Sequence, residues 1–155
     1  MPNRLSLLRV LAAMALLVAS VAFTACGGDD GPSKDTYKEE AQKISDKFDT
    51  DFESSLKNAT SEDPQESLTG VKQIAASAGE AADGLEELDT PEDYKDVSGK
   101  LVGSLRTLEE RGAAVEKAAE AEDEAAITSA VESFQQGIQE LEPVGNEFDK
   151  KVGTT

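Results

Sequence analysis

Carboxylates are the only reactive side chains this sequence holds in number, and two clusters of them are spaced closely enough to do chemistry together. Glu80, Asp83, Glu86 and Glu87 form one; Glu120, Glu122, Asp123 and Glu124 form the other. Hard divalent cations prefer oxygen ligands, so either cluster is a candidate cation site. On a helix, Glu80, Asp83 and Glu87 share one face, but that face lies opposite Ala78, Ala82 and Leu85. The pattern favours a solvated acidic surface, with Glu80, Asp83 and Glu87 kept as weak metal candidates. Other chemistries lack parts. Histidine is absent, so serine has no conventional base and the Glu-x-x-His pairs of di-iron carboxylate bundles cannot be assembled. Glycoside hydrolysis by paired carboxylates needs an acid set in an apolar wall, and no acidic residue falls on an expected core stripe. No glycine-rich phosphate loop occurs either. The expectation is a non-enzyme with no catalytic residue and no cofactor.

The charge balance narrows the partners. With Arg4 and Arg9 set aside in an N-terminal segment, the 15 basic residues become 13 against 32 acidic ones, a formal net charge of −19. Such a surface repels nucleic acid and anionic membrane alike.

One residue stands apart from this acidic alphabet. Cys26, the only cysteine, ends an apolar run and precedes Gly27 and Gly28. Residues 1–25 divide into a positive start with Arg4 and Arg9, the run VLAAMALLVASVAF, and small residues up to the cysteine, which is the layout of an export signal. The run is short for a membrane span, which needs roughly 20 apolar residues. A lone cysteine forms no intrachain disulfide, and nothing amphipathic surrounds Cys26 to bury it. The stretch Thr24-Ala25-Cys26 resembles the lipobox of bacterial lipoproteins, in which small residues precede an obligatory cysteine. The residue three before the cysteine, usually leucine in that family, is Phe23 here. The resemblance implies cleavage between Ala25 and Cys26, a thioether-linked diacylglyceryl group on Cys26, and a new amino terminus open to a further acyl chain. Two chains anchor a protein stably where one does not, each buried methylene contributing about 0.8 kcal/mol. The following CGGDDGPS is polar, glycine-rich and stopped by Pro32, so residues 26–33 read as a flexible tether.

Whatever positions the carboxylates must be helical. From Ser33 onward apolar residues recur at three and four, and no alternating β-branched run suggests a strand. A first helix is expected from Ser33 or Thr36 to about Ala59, with Glu39 completing a capping box on Thr36 and a stripe of Tyr37, Ala41, Ile44, Phe48, Phe52 and Leu56. A second starts with Asp63 as cap, Pro64 in the first turn and Glu66 at the capping-box position. Thr90 and Pro91 repeat that signal for a third, and Asp123 caps a fourth that carries Phe134, Ile138, Leu141, Phe148 and Val152, with Pro143 expected to kink or divide it. Tyr37 and Tyr94 sit in first turns, where a ring packs while its hydroxyl stays wet.

Short connections force neighbouring helices to run antiparallel, so the predicted fold over residues 34–155 is all-α, an up-down-up-down four-helix bundle. Folding the chain about each loop sets Phe52 near Val71, Phe48 near Ala75, Ala75 and Ala78 near Leu105 and Leu101, Gly112 level with Phe134, and Leu101 level with Gly145. Over residues 27–155 the composition resembles that of small helical lipoproteins of high-GC Gram-positive and related bacteria, where ACGG and an acidic linker precede an Ala- and Glu-rich bundle. Two expectations follow. The first is an exported, non-catalytic envelope protein, held on the outer face of the cell membrane by lipid on Cys26 and serving as a helical spacer or as an interaction module for an envelope protein. The second is an extracytoplasmic binding lipoprotein that takes a divalent cation or a small basic ligand on surface carboxylates.

Overall fold

The computed structural model describes residues 33–154, so the predicted signal peptide, Cys26 and all of the predicted tether except Ser33 lie outside the described residues. Those described are helical almost throughout: α1 spans Lys34–Ala59, α2 Pro64–Glu87, α3 Lys95–Glu120 and α4 Glu124–Val152, with one 3₁₀ turn at Glu92–Tyr94 before α3. The all-α class read from the periodicity is therefore correct. Among the described residues no helix is long and apolar enough to cross a membrane.

Local chemistry sets most of the ends. Asp63 Oδ1 accepts from the backbone N–H groups of Gln65 and Glu66, at 2.8 and 3.1 Å, and Pro64 needs no such partner. The reciprocal half of the expected capping box is relayed: the Ser61 hydroxyl donates to Glu66 and accepts from the Asp63 N–H. Asp123 caps α4 by accepting from the Ala126 N–H at 3.0 Å. That helix ends at Gly153, whose left-handed backbone (φ 79°) lets its N–H reach the Asp149 carbonyl at 2.7 Å. Two local expectations fail, and of the two outcomes expected at Pro143 the division of the helix does not occur. Ser33 caps α1 without a side-chain bond, and no capping box forms on Thr36. The Thr90 hydroxyl donates back to the Leu88 carbonyl instead of capping, so the chain makes its 3₁₀ turn and α3 starts only at Lys95. Pro143 leaves α4 undivided; lacking an N–H, it takes away the helical partner of the Gln139 carbonyl without ending the helix.

Packing runs from neighbour to neighbour. α1 lies on α2, α2 on α3 and α3 on α4, whereas the backbones of α1 and α4 make no comparable approach. The core lies mainly along α2 and α3, where Ile74, Ala78, Leu85, Leu101, Leu105 and Leu108 are buried with Phe134 and Phe148 of α4. A fully buried Leu, Ile or Phe contributes about 1.5–3 kcal/mol, so this spine carries the fold. Small residues let it close. A Cβ placed on Gly112 would strike the Ala75 side chain and come within 3.3 Å of Phe134, which confirms the Gly112–Phe134 pairing expected across the last loop.

The other two registers are displaced. Lys47 meets Glu80 and Ile44 faces Gly84, about one turn from the expected match of α1 to α2. Ser67 donates to the Ala59 carbonyl, and Gly70 lets the Ala59 backbone in, so the end of α1 docks on the second turn of α2. Ala75 meets Gly112, about two turns from Leu105, because the late start of α3 lengthens that connection.

Candidate functional site

The carboxylates of the first cluster diverge. Glu80 pairs with Lys47 of α1 at 2.7 Å, while Asp83 and Glu86 turn to the opposite side and share Arg106 of α3, which also holds Glu109 at 3.1 Å. Glu87 is exposed. These partners hold the Lys47 ammonium and the Arg106 guanidinium above their ordinary values, Glu80 first for the lysine and Asp83 first for the arginine. In the second cluster Asp123 is spent on the cap, and Glu120, Glu122 and Glu124 are exposed around the turn into α4. Among the described residues no three acidic or cysteine side chains converge well enough to hold an ion.

The unsealed side of the helix array forms a groove instead. It has a volume of 470 Å³, with Ile44, Ser45, Phe48, Asp49 and Phe52 of α1 on one wall and Ile138, Gln139, Leu141, Glu142, Gly145, Asn146 and Asp149 of α4 on the other. Ala81 and Leu85 of α2 and Leu101 and Leu105 of α3 line it between them. The reason lies in α1. Only its first turns bury apolar side chains fully, Tyr37 and Ala41; Ile44, Phe48 and Phe52 are half-buried and Leu56 is 38% exposed. Phe48 and Phe52 tilt together with ring centroids 5.8 Å apart. Across from them, Gly145 has open space where a side chain would begin.

The groove is acidic at its edges. Asp49, Glu142 and Asp149 line it without being buried, so the expectation that no acidic residue falls on a core stripe holds among the described residues, and no lysine or arginine lines the groove. Among the described residues none of these three carboxylates has an ion-pair partner; the Asp149 carboxylate accepts only from the Thr154 hydroxyl, at 2.6 Å. Asp49 as a residue is largely exposed, yet its carboxyl is held above the ordinary carboxylate value. Loss of water beside the apolar wall comes first among the causes, then the like charges of Asp149, Asp46 and Glu53.

A second polar feature lies beyond the groove. Tyr37 is 2% exposed and stacks at a tilt on Tyr94, with centroids 5.6 Å apart. Its hydroxyl was expected to stay wet, but it is buried and has no hydrogen-bond partner, although Ser98 and Thr90 lie nearby. Burial holds the phenol above its ordinary value.

No protein-family model, no curated protein and no solved structure matches this chain. The groove escaped the sequence reading because it is a missing contact between the two helices farthest apart in the chain. One signal was available: Ser45, Asp49 and Phe52 are spaced to share a helix face, so a carboxylate flanks the α1 stripe.

Proposed function

We propose that the chain is an exported, non-catalytic lipoprotein, held on the outer face of the cell membrane by acyl chains on Cys26, and that residues 34–155 serve there as a helical spacer and interaction module. The observation that carries this reading is the arrangement of the first 28 residues: two arginines, one apolar run, small residues, a single cysteine and a glycine pair. The domain is read as an antiparallel up-down-up-down four-helix bundle. Its support is the reversed order of matched residues, Lys72 with Glu116 and Asp83 with Arg106 between α2 and α3, Arg111 with Glu140 and Lys100 with Glu147 between α3 and α4.

Storage of inorganic cations on α2 is disfavoured, because Glu80, Asp83 and Glu86 are already paired with Lys47 and Arg106. The expected partners are the membrane, through the lipid, and an envelope protein, with divalent cations bound only weakly and nucleic acid not at all. The test is intact mass and detergent partitioning of the protein from its own membranes. The wild type is expected to begin at Cys26, to carry the mass of acyl chains and to enter the detergent phase, while Cys26→Ser stays unprocessed and unacylated. A mature wild-type protein with an unmodified Cys26 contradicts the proposal.

A further inference from the structure

We infer that the groove between α1 and α4 binds a small amphipathic organic cation, its ammonium or guanidinium at Asp49 and Asp149 and its apolar body against Phe48, Phe52 and Ile138. The inference rests on reading the domain as a non-catalytic binding module, and it names the ligand class of that module's groove.

Size selects the occupant. A volume of 470 Å³ falls within the range of clefts that enclose small molecules. Along α1 the lining runs from Ile44 to Phe52, about 12 Å at 1.5 Å per residue, which suits a small molecule better than a docked helix. The middle of the groove, Ala81, Leu85, Leu101 and Leu105, offers an apolar body a dry surface and offers an inorganic ion nothing.

Charge selects the sign. Of the 13 basic residues of the mature part, seven are paired with carboxylates such as Glu80, Asp83, Glu86 and Glu116, and none of the 13 lines the groove. Asp49 and Asp149 therefore face each other's field without a counter-ion from the protein, a cost that a bound cation removes and a bound anion raises.

The test uses the mature lipidated protein in neutral phosphatidylcholine nanodiscs, with empty nanodiscs as blank, titrated with 4-phenylbutylammonium, 4-phenylbutanol, 4-phenylbutyrate and methylammonium by calorimetry. Saturable one-to-one binding of 4-phenylbutylammonium is expected, at least about tenfold tighter than the alcohol, with no saturable binding of the acid or of methylammonium. Asp49→Asn is expected to weaken the amine about tenfold. Gly145→Leu, which places a side chain in open space and replaces a poor helix former, is expected to abolish binding with the helical circular dichroism retained. Equal affinity for amine and alcohol, unchanged binding in both variants, or tighter binding by a Lys- and Leu-rich helical peptide would each overturn the inference. The acyl mass on Cys26, read from the same preparation, reports separately on the lipoprotein proposal, so either reading can fall alone.

Discussion

Two regions of this molecule are built from the same alanines, leucines, phenylalanines and carboxylates, and they behave as opposites. Where α3 meets α2 and α4, Gly112 lies against Ala75 and Phe134, Leu108 is wholly buried, and the acidic residues at the rim are matched by Arg106, Lys72 and Arg111. Where α1 faces α4, Phe48 and Phe52 are only half-buried, Gly145 meets nothing, and Asp49, Glu142 and Asp149 stand in an opening that no basic side chain lines. In a chain with 32 acidic residues and 15 basic ones, the placement of the few cations separates surface that is neutralised as structure from surface whose charge remains available.

The comparison can be broken most forcefully at the aromatic residues. Phe134→Ala, in the closed region, is expected to cost about 3–5 kcal/mol in urea unfolding followed at 222 nm. Phe52→Ala, in the groove, is expected to cost under about 2 kcal/mol, because less apolar surface leaves water there on folding. Equal costs would mean that the two regions are packed alike.

Glycines sharpen the contrast at smaller scale. Gly112→Leu drives a side chain into Ala75 and Phe134 and is expected to lose about 1–3 kcal/mol. Gly145→Ala adds a methyl to open space within a helix and is expected to gain about 0.5–1 kcal/mol by the same unfolding measurement. Opposite signs at two helix-interior glycines are not produced by propensity, which favours replacing both.

The smallest effect expected is electrostatic. Because the Asp49 carboxyl is held above its ordinary value, the folded state takes up that proton more readily than the unfolded chain. The group therefore opposes folding at neutral pH, and the opposition is relieved as pH falls through the raised value. Asp49→Asn is expected to raise the melting temperature at pH 7, with the difference from wild type vanishing once pH is below the ordinary carboxyl range. Asp93 runs the other way: Lys34 holds its carboxyl low, so its favourable contribution is present at neutral pH and fades as pH falls through that lowered value. Melting curves of Asp49→Asn and Asp93→Asn across pH 3–8 are expected to diverge from wild type in opposite directions.

What could be read in advance follows from how local each feature is. Asp63 with Pro64 and Asp123 with Glu124 announced their helices because a cap acts within three residues. Thr90 carried the same signal and failed, since its hydroxyl had a nearer acceptor in the Leu88 carbonyl. The α3–α4 register was legible because bulk and absence of bulk, Phe134 and Gly112, fit only one way. Between α1 and α2 and between α2 and α3 the runs of alanine permit several registers, and the bond from Ser67 to Ala59 and the 3₁₀ turn at Glu92–Tyr94 selected among them. The candidate cation cluster of α2 was legible as composition only; the arrival of Lys47 and Arg106 from other helices is what divides it.

The contrast between a closed spine and an open edge is measured most directly by residue-resolved amide hydrogen exchange on the unmutated protein, since amides that open only on global unfolding exchange together and slowest. The slowest set is expected along α3 from Leu101 to Val115, and α1 from Phe48 to Leu56 is expected to exchange faster, through an opening of lower free energy. Protection of Phe48–Leu56 equal to that of α3 would contradict the account, because α1 would then be sealed against the other helices and the groove closed.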